Sequence, residues 1–262
     1  MPPVPPKQSL GQNFLIDPNI ARKLVDALNP QPDETVLEIG PGTGALTGLL
    51  LERAPRLIAV EIDGRLIPLL RERFGERLEV IHADIIEVDF TELAARAGGR
   101  LAVLGNLPYY SSSPILFHLI KHRAALSRVV ITLQREVVDR CCAGPGGKDH
   151  GSLSVQLALA ASVRRLFTIS PNVFRPRPKV DSAALLLDFT RPHPTQPQSW
   201  DALEQILRAA FGQRRKTLRN ALAARFGFET ADKLIAAAKV DPRTRAEALA
   251  PEIFIALSDA SG

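Results

Sequence analysis

Residues 36–47 read "VLEIGPGTGALT", and the fold turns on this stretch. A short apolar run rich in β-branched residues stops at a glycine-rich turn, and helical spacing begins just beyond it, over Ala45–Arg53. Glycines at 40, 42 and 44 let the backbone turn sharply and approach a ligand closely. The same alternation continues outward. "TVLEIG" (Thr35–Gly40), "LIAVEID" (Leu57–Asp63), "LEVIHAD" (Leu78–Asp84), "LAVLGN" (Leu101–Asn106) and "RVVITL" (Arg128–Leu133) read as buried strands. Gly64–Phe74, Thr91–Ala97 and Pro114–His122 have helical spacing. Strands alternating with helices predict a parallel α/β sheet covered on both faces. Ahead of it, Asp17 and Pro18 mark a helix start, with Ile20, Leu24, Val25 and Leu28 on one side.

Downstream, "SLSVQLALAASV" has a helical pattern and "AALLLDF" (Ala183–Phe189) reads as another buried strand. "TRPHPTQPQSW" (Thr190–Trp200) holds three prolines and no periodicity, which marks a boundary. Beyond it, Asp201–Phe226, Thr230–Ala238 and Pro251–Ser258 read as helices. The expected division is a domain over 1–190 and a small all-helical domain over 191–262. "CCAGPGGKDHG" (Cys141–Gly151) reads as a mobile loop, and the opening "MPPVPPKQSL" as a loose Pro-rich tail without the apolar segment of a secretory signal.

The formal charge is +5, and it is unevenly spread: 12 Lys and Arg face 4 Asp and Glu between Ala161 and Arg225. A polyanion is the natural partner of such a stretch, and a solvated basic face is the plainer alternative. No apolar run is long enough to span a membrane. The two cysteines, Cys141 and Cys142, are adjacent and poorly placed to bridge each other, which points to a reducing, cytoplasmic setting. His118 and His122 stand four apart on an expected helix without an evident third ligand, so no metal site is expected.

The glycine turn would sit beyond the carboxyl end of a strand, where open α/β sheets bind ligands. Glu61 ends the next strand and can accept both hydroxyls of a ribose. Asp84 ends the third and can accept from an adenine amine. A nicotinamide dinucleotide would use similar features, but its fingerprint is G-x-G-x-x-G, and here Gly40, Gly42 and Gly44 give G-x-G-x-G. S-adenosylmethionine has no pyrophosphate to cradle and fits this set better. The expected fold is therefore α/β: a Rossmann-like class I methyltransferase sheet with helices on both faces, followed by the helical C-terminal domain.

"GNLPYYSSSP" (Gly105–Pro114) contains both tyrosines of the chain and follows the fourth strand, beside the expected cofactor. The lone pair of adenine N6 is delocalised into the ring, so the amine is a poor nucleophile. Acceptors for its two hydrogens would polarise it. The Asn106 side-chain oxygen and the Leu107 backbone carbonyl suit this task, the latter held extended by Pro108. Tyr109 can stack on the extracted base, a contact worth ~1–3 kcal/mol. Phe174, in "NVFRPRPKVDSA", is the candidate second aromatic, although an ordinary core phenylalanine would look the same. Tyr110 is expected to pack against the sheet.

Taken together, "LGQNFLID", "LEIGPGTGALT", "VEID", "HADI", "GNLPYY", "LQREVVDR", "GSLSVQL", "FRPRPKVDSA" and "FGQRRKTLRNAL" resemble the bacterial small-subunit rRNA adenine N6-dimethyltransferases along nearly the whole chain. The resemblance implies dimethylation, from S-adenosylmethionine, of two adjacent adenosines in the 3′-terminal hairpin loop of 16S rRNA within an immature 30S particle. It also implies that Asn13 and Leu15 touch the cofactor with Gly40, Gly42, Glu61, Asp84 and Asn106. Sequence physics alone gives Asn13 no role. Ser111 departs from family versions in which an Ile often follows the tyrosines, which predicts altered local packing and unaltered chemistry. The related large-subunit resistance methyltransferases share several motifs. "PKVDSA" and "FGQRRKTLRNAL" favour the small-subunit type. On one long helix Arg208, Arg215 and Arg219 would share a face flanked by Arg214 and Lys216, a set suited to RNA phosphates. No unassigned apolar stripe remains, so a monomer is expected. A non-catalytic RNA-binding factor on the same fold is the alternative of a different class.

Overall fold

The computed structural model describes residues 4–213 and 215–261, apart from the side chain of Tyr110, so the expectations for Arg214 and for the Tyr110 ring lie outside the described residues. A two-residue strand, Phe14–Leu15 (β1), precedes helix Pro18–Leu28 (α1). The Asp17 carboxylate caps that helix by accepting from the amides of Asn19 and Ile20 at 2.8 and 3.1 Å, and Pro18 takes the first position, where no amide is needed. Its apolar side, Leu24, Val25 and Leu28, is fully buried, worth ~1.5–3 kcal/mol per side chain.

Strands and helices then alternate: Thr35–Ile39 (β2), Thr47–Leu51 (α2), Arg56–Glu61 (β3), Ile67–Phe74 (α3), Leu78–His82 (β4), Phe90–Ala97 (α4), Leu101–Asn106 (β5), Ser112–Lys121 (α5) and Leu126–Gln134 (β6). Helices Arg135–Cys141 (α6) and Ser152–Ala160 (α7) follow, then strands Ser162–Ile169 (β7), Phe174–Arg175 (β8) and Ser182–Asp188 (β9). Among the described residues one seven-stranded sheet forms in the order β4-β3-β2-β5-β6-β9-β7. Its first five strands are parallel, while β9 runs antiparallel to both β6 and β7. Both pleat faces are covered, since Val36, Ala102 and Leu104 on one and Leu37 and Val103 on the other are buried. The strand β7 departs from the sequence expectation of helix through Val163. The pattern changes at Ala161, and Arg164 and Arg165 stand exposed on this edge strand.

The chain divides into two compact units, 1–138 with 162–191 and 139–161 with 192–262. The linker after Thr190 is a boundary, but Asp139–Ala161 belongs with the C-terminal helices rather than with the sheet. Val155 and Leu159 of α7 share a buried cluster with Leu203, Leu207, Leu222 and Phe254. That cluster is built by Trp200–Gly212 (α8), Leu218–Phe226 (α9), Phe228–Ala238 (α10) and Pro251–Asp259 (α11). The single helix expected over Asp201–Phe226 is two helices. The first ends at Gly212, and Thr217 opens the second by accepting from the Asn220 amide at 3.4 Å.

Two stretches expected to be loose are fastened at described residues. Gly146 donates to the Glu247 carbonyl at 2.8 Å, and the buried His150 ring lies 3.2 Å from the Ala143 carbonyl and 3.1 Å from that of Leu249. Near the start, the Lys7 amide donates to Gln12 Oε1 at 2.7 Å, and Gln12 Nε2 donates to Asp63 at 2.9 Å.

Candidate active site

Strand β2 lies between β3 and β5, so the chain reverses its direction of winding there and a cleft opens beyond the carboxyl ends. The cleft is open to solvent, and the space within its mouth, solvent included, is about 480 Å³. Residues 10–14 form one wall, Gly40, Gly42, Glu61 and Ile62 another, and Asn106–Pro108 close it. Gly40 and Gly42 have φ of +65° and +58°, which an L side chain rarely adopts. A Cβ on Gly42 would also lie 3.0 Å from the Phe14 ring, so the turn and the wall fit only without it.

Glu61 is buried and oriented by backbone. One carboxylate oxygen accepts from the Gly42 amide at 3.1 Å, the other from the Asp63 amide at 2.8 Å. Burial raises its pKa, and these two amides oppose the rise. Asp63 beside it is held well below the usual carboxylate range by Arg65, which donates from Nε at 2.9 Å and from Nη2 at 2.6 Å.

Beneath the turn, Glu38 on β2 is 1% exposed, and neither of its oxygens nor the neighbouring Thr47 hydroxyl has a hydrogen-bond partner among the described residues. Burial pushes Glu38 up from 4.5 to about 8, the nearby Thr47 hydroxyl opposing the rise and the charge of Glu61 adding to it. The folded chain thus keeps a proton that the unfolded chain releases, and stability falls as pH climbs through this window. Glu38→Gln is expected to flatten that slope. Between pH 5 and pH 9 the variant should gain on the parent by on the order of 3 kcal/mol in chemical denaturation. Parallel curves for the two proteins would refute it.

Asn106 ends β5 with both halves of its amide engaged. Nδ2 donates to the Asn13 carbonyl at 2.8 Å, and Oδ1 accepts from the Thr132 hydroxyl. The next residue, Leu107, donates its amide to the Thr132 carbonyl at 3.3 Å. Tyr109 is half-buried, and its hydroxyl lies 2.7 Å from Ser182 Oγ; burial raises its pKa. Ser111 donates to the Pro108 carbonyl at 3.3 Å, so the serine that departs from the common family pattern closes this turn on itself.

Of the expected site residues, Asn13, Gly40, Gly42, Glu61, Asn106 and Leu107 meet at the cleft. Three do not. Leu15 is 5% exposed within the sheet's core, and its backbone pairs with Phe174. Phe174 is 1% exposed in the same core and, as packed, offers no face to a base. The antiparallel pairing of β1 with β8 turns both side chains inward, which neither segment alone could reveal. Asp84 caps the turn after β4 by accepting from the Ile86 amide at 3.2 Å and does not line the cleft. Sequence reasoning missed Gln12, Phe14, Ile62 and Thr132. Ile62 was legible as an apolar residue directly after the acid, and it is 41% exposed.

The basic face expected on one helix is not formed. Arg208 lies on α8, paired with Glu204, and Arg219 on α9, while Arg215 and Lys216 are exposed in the turn between these helices. Arg219 donates to both oxygens of Asp232 at 2.6 and 2.8 Å and lies over the Phe228 ring. A groove between α8 and α9 instead brings Arg208 together with Arg225. His118 and His122 pack against Phe90, and burial lowers the pKa of both. Among the described residues no group of three His, Cys, Asp or Glu is placed to hold a metal, and no helix is long and apolar enough to cross a membrane.

Five parallel strands extended by an antiparallel pair, with a ligand cleft at the reversal point and an acid ending the strand beside it, define an α/β methyltransferase. Known proteins narrow the class. Residues 6–260 match the model of the family described as "Ribosomal RNA adenine dimethylase", and the chain belongs to that family. It is 42% identical to the ribosomal RNA small subunit methyltransferase A of Geobacter metallireducens, covering 97% of this chain and 94% of that one. The corresponding protein of Acidobacterium capsulatum is 46% identical over 96% of this chain and 89% of its own. Among solved structures, a dimethyladenosine transferase from Plasmodium falciparum superposes with a TM-score of 0.76 at 27% identity, over 93% of this chain and 95% of that one. The 23S rRNA methyltransferase ErmE shares the fold, with a TM-score of 0.67 at 24% identity over 95% and 99% of the two chains.

Proposed function

We propose that this enzyme takes methyl groups from S-adenosylmethionine and delivers them to the N6 amines of two adjacent adenosines in the 3′-terminal hairpin loop of 16S rRNA. Its substrate is an immature 30S particle in the cytoplasm, and it acts as a monomer. The observation that carries the reading is the chemistry of the cleft. Its described lining has no Lys or Arg, a single carboxylate, Glu61, and the side-chain amides of Gln12, Asn13 and Asn106. A dinucleotide pyrophosphate is held by a G-x-G-x-x-G turn at a helix N-terminus, which the spacing of Gly40, Gly42 and Gly44 does not give, whereas a sulfonium nucleoside finds a ribose acceptor and neutral polar walls. Glu61 would hold the ribose, Ile62 would cover the adenine, and Asn13 with the Gly40 and Gly42 backbone would hold the amino-acid end. Bound there, S-adenosylmethionine supplies a methyl already activated on sulfur.

The chain's own work is positioning. Asn106 Oδ1 and the Leu107 carbonyl accept the two hydrogens of the target amine and turn its lone pair away from the ring. Neither group is a base, so they polarise rather than deprotonate. Each transfer would replace one amine hydrogen by methyl, the proton passing to solvent and the donor leaving as its thioether, so after the first transfer one hydrogen remains for the pair to hold. Tyr109, its hydroxyl anchored by Ser182, offers a ring on which the base can stack. Leu15, Asp84 and Phe174 are left out of this assignment, because the first and last are packed in the core and Asp84 caps the turn after β4. Arg208, Arg225, Arg215 and Lys216 supply phosphate contacts that fix the RNA without reading its sequence.

The test is methyl transfer from labelled S-adenosylmethionine to unmethylated small and large ribosomal subunits, with the modified bases mapped by primer extension. Label in two neighbouring adenosines near the 3′ end of 16S rRNA is expected. Label confined to large-subunit RNA would overturn the target. No label on either, with cofactor still bound, would favour a non-catalytic RNA-binding role.

A further inference from the structure

Asn106 and Leu107 are held by the same neighbour. Thr132 sits on β6 directly across from Asn106 in the parallel register and is 2% exposed. Its hydroxyl contacts Asn106 Oδ1, and its carbonyl accepts the Leu107 amide at 3.3 Å. The direction of the first bond follows from the network. The Asn13 carbonyl can only accept, so the Asn106 atom 2.8 Å from it is the NH₂. The opposite atom is therefore the oxygen, and the Thr132 hydroxyl must donate its single hydrogen to it.

We propose that Thr132 is the positioning residue that aims Asn106 Oδ1 at the target amine through its hydroxyl, while its backbone carbonyl fixes the peptide that joins Asn106 to Leu107. This rests on the roles given above to Asn106 and Leu107. The χ2 torsion of an asparagine is broad and nearly two-fold, so an amide held at one end can swing its oxygen out of line. Bonds at both ends remove that freedom. They leave Oδ1 one lone pair for the incoming hydrogen, and the geometry is set before the base arrives. Thr132 touches neither cofactor nor base in this arrangement. The only side-chain bond it makes among the described residues is the one to Asn106, so the hydroxyl has a single identifiable task.

The experiment compares Thr132→Val, which keeps the shape and deletes the hydroxyl, with Thr132→Ser, which keeps the hydroxyl and deletes the methyl. Methylation of unmethylated small subunits by the full-length protein gives kcat and KM. Calorimetry gives S-adenosylmethionine affinity, and thermal unfolding reports the fold. Thr132→Val is expected to lower kcat about tenfold, the value of roughly one hydrogen bond, with KM and cofactor affinity changed by no more than about twofold. Thr132→Ser should restore kcat to within about twofold of the parent. In an Asn106→Ala background, Thr132→Val should add nothing. Parental kcat in Thr132→Val, equal slowing by the serine, or an additive loss on top of Asn106→Ala would each overturn the proposal. Should the valine variant fail to fold, Thr132→Ala is read against the serine in the same way. Full activity in Asn106→Ala alone would instead overturn the role of Asn106, which keeps the two failures apart.

Discussion

Replacing Asn106 with alanine is expected to slow methyl transfer by ~100- to 1000-fold, the usual cost of losing one preorganised polar contact to a reacting group. Two things are lost together. The amine loses an acceptor, and the Asn13 carbonyl loses the donor 2.8 Å away, so the wall formed by residues 10–14 is no longer tied to the end of β5. The second loss should appear as weaker binding of S-adenosylmethionine and the first as a fall in kcat, so steady-state kinetics and calorimetry separate them. Asn106→Asp is the informative companion. It keeps an oxygen facing Thr132 but sets a second one against the Asn13 carbonyl, and it should lose cofactor affinity more than alanine does. A fall in kcat of less than about fivefold in Asn106→Ala would mean that Asn106 is not a reacting-site acceptor.

Gly44→Ala is expected to destabilise the sheet unit by about 2–4 kcal/mol, through backbone strain and core overpacking combined. Gly44 has φ of +84°, and a Cβ there would lie 2.6 and 2.8 Å from two ring carbons of Phe74. Phe74 is 7% exposed and packed in the core, so the ring cannot simply step aside. Gly98 provides the control. It is left-handed, with φ of +77° and open space around its missing Cβ, so Gly98→Ala should cost only the backbone term, about 1–2 kcal/mol. Denaturant titration of both variants gives the difference, and equal losses would mean that Phe74 relaxes. Gly44→Ala should also weaken cofactor binding, because the Arg73 guanidinium lies over that ring at 5.0 Å and donates to the Thr43 carbonyl at 2.9 Å, so displacing the ring disturbs the glycine turn.

Local patterns were legible wherever one element settles its own state. The β2–turn–α2 passage follows from apolar alternation and glycine at Gly40, Gly42 and Gly44. The α1 start follows from Asp17 and Pro18, and the acid ending β3 from the position of Glu61. The misreadings have a different origin. "QRRK" has good helix formers, so the break between α8 and α9 was invisible until the Thr217 cap and the packing of both helices fixed it. The segment 139–161 sits between sheet strands in sequence yet buries Val155 and Leu159 among the C-terminal helices.

The sequence by itself determined the five parallel strands, the glycine turn after β2 and the place of Asn106 at the end of β5, because period, glycine placement and strand-end residues are properties of single segments. Only the tertiary structure decided which side chains reach the cleft. The pairing of β1 with β8 turned Leu15 and Phe174 into the core, and the parallel register of β5 on β6 set Thr132 against Asn106. Both depend on residues distant in the chain meeting in one register, and a one-residue slip would send each side chain to the opposite face.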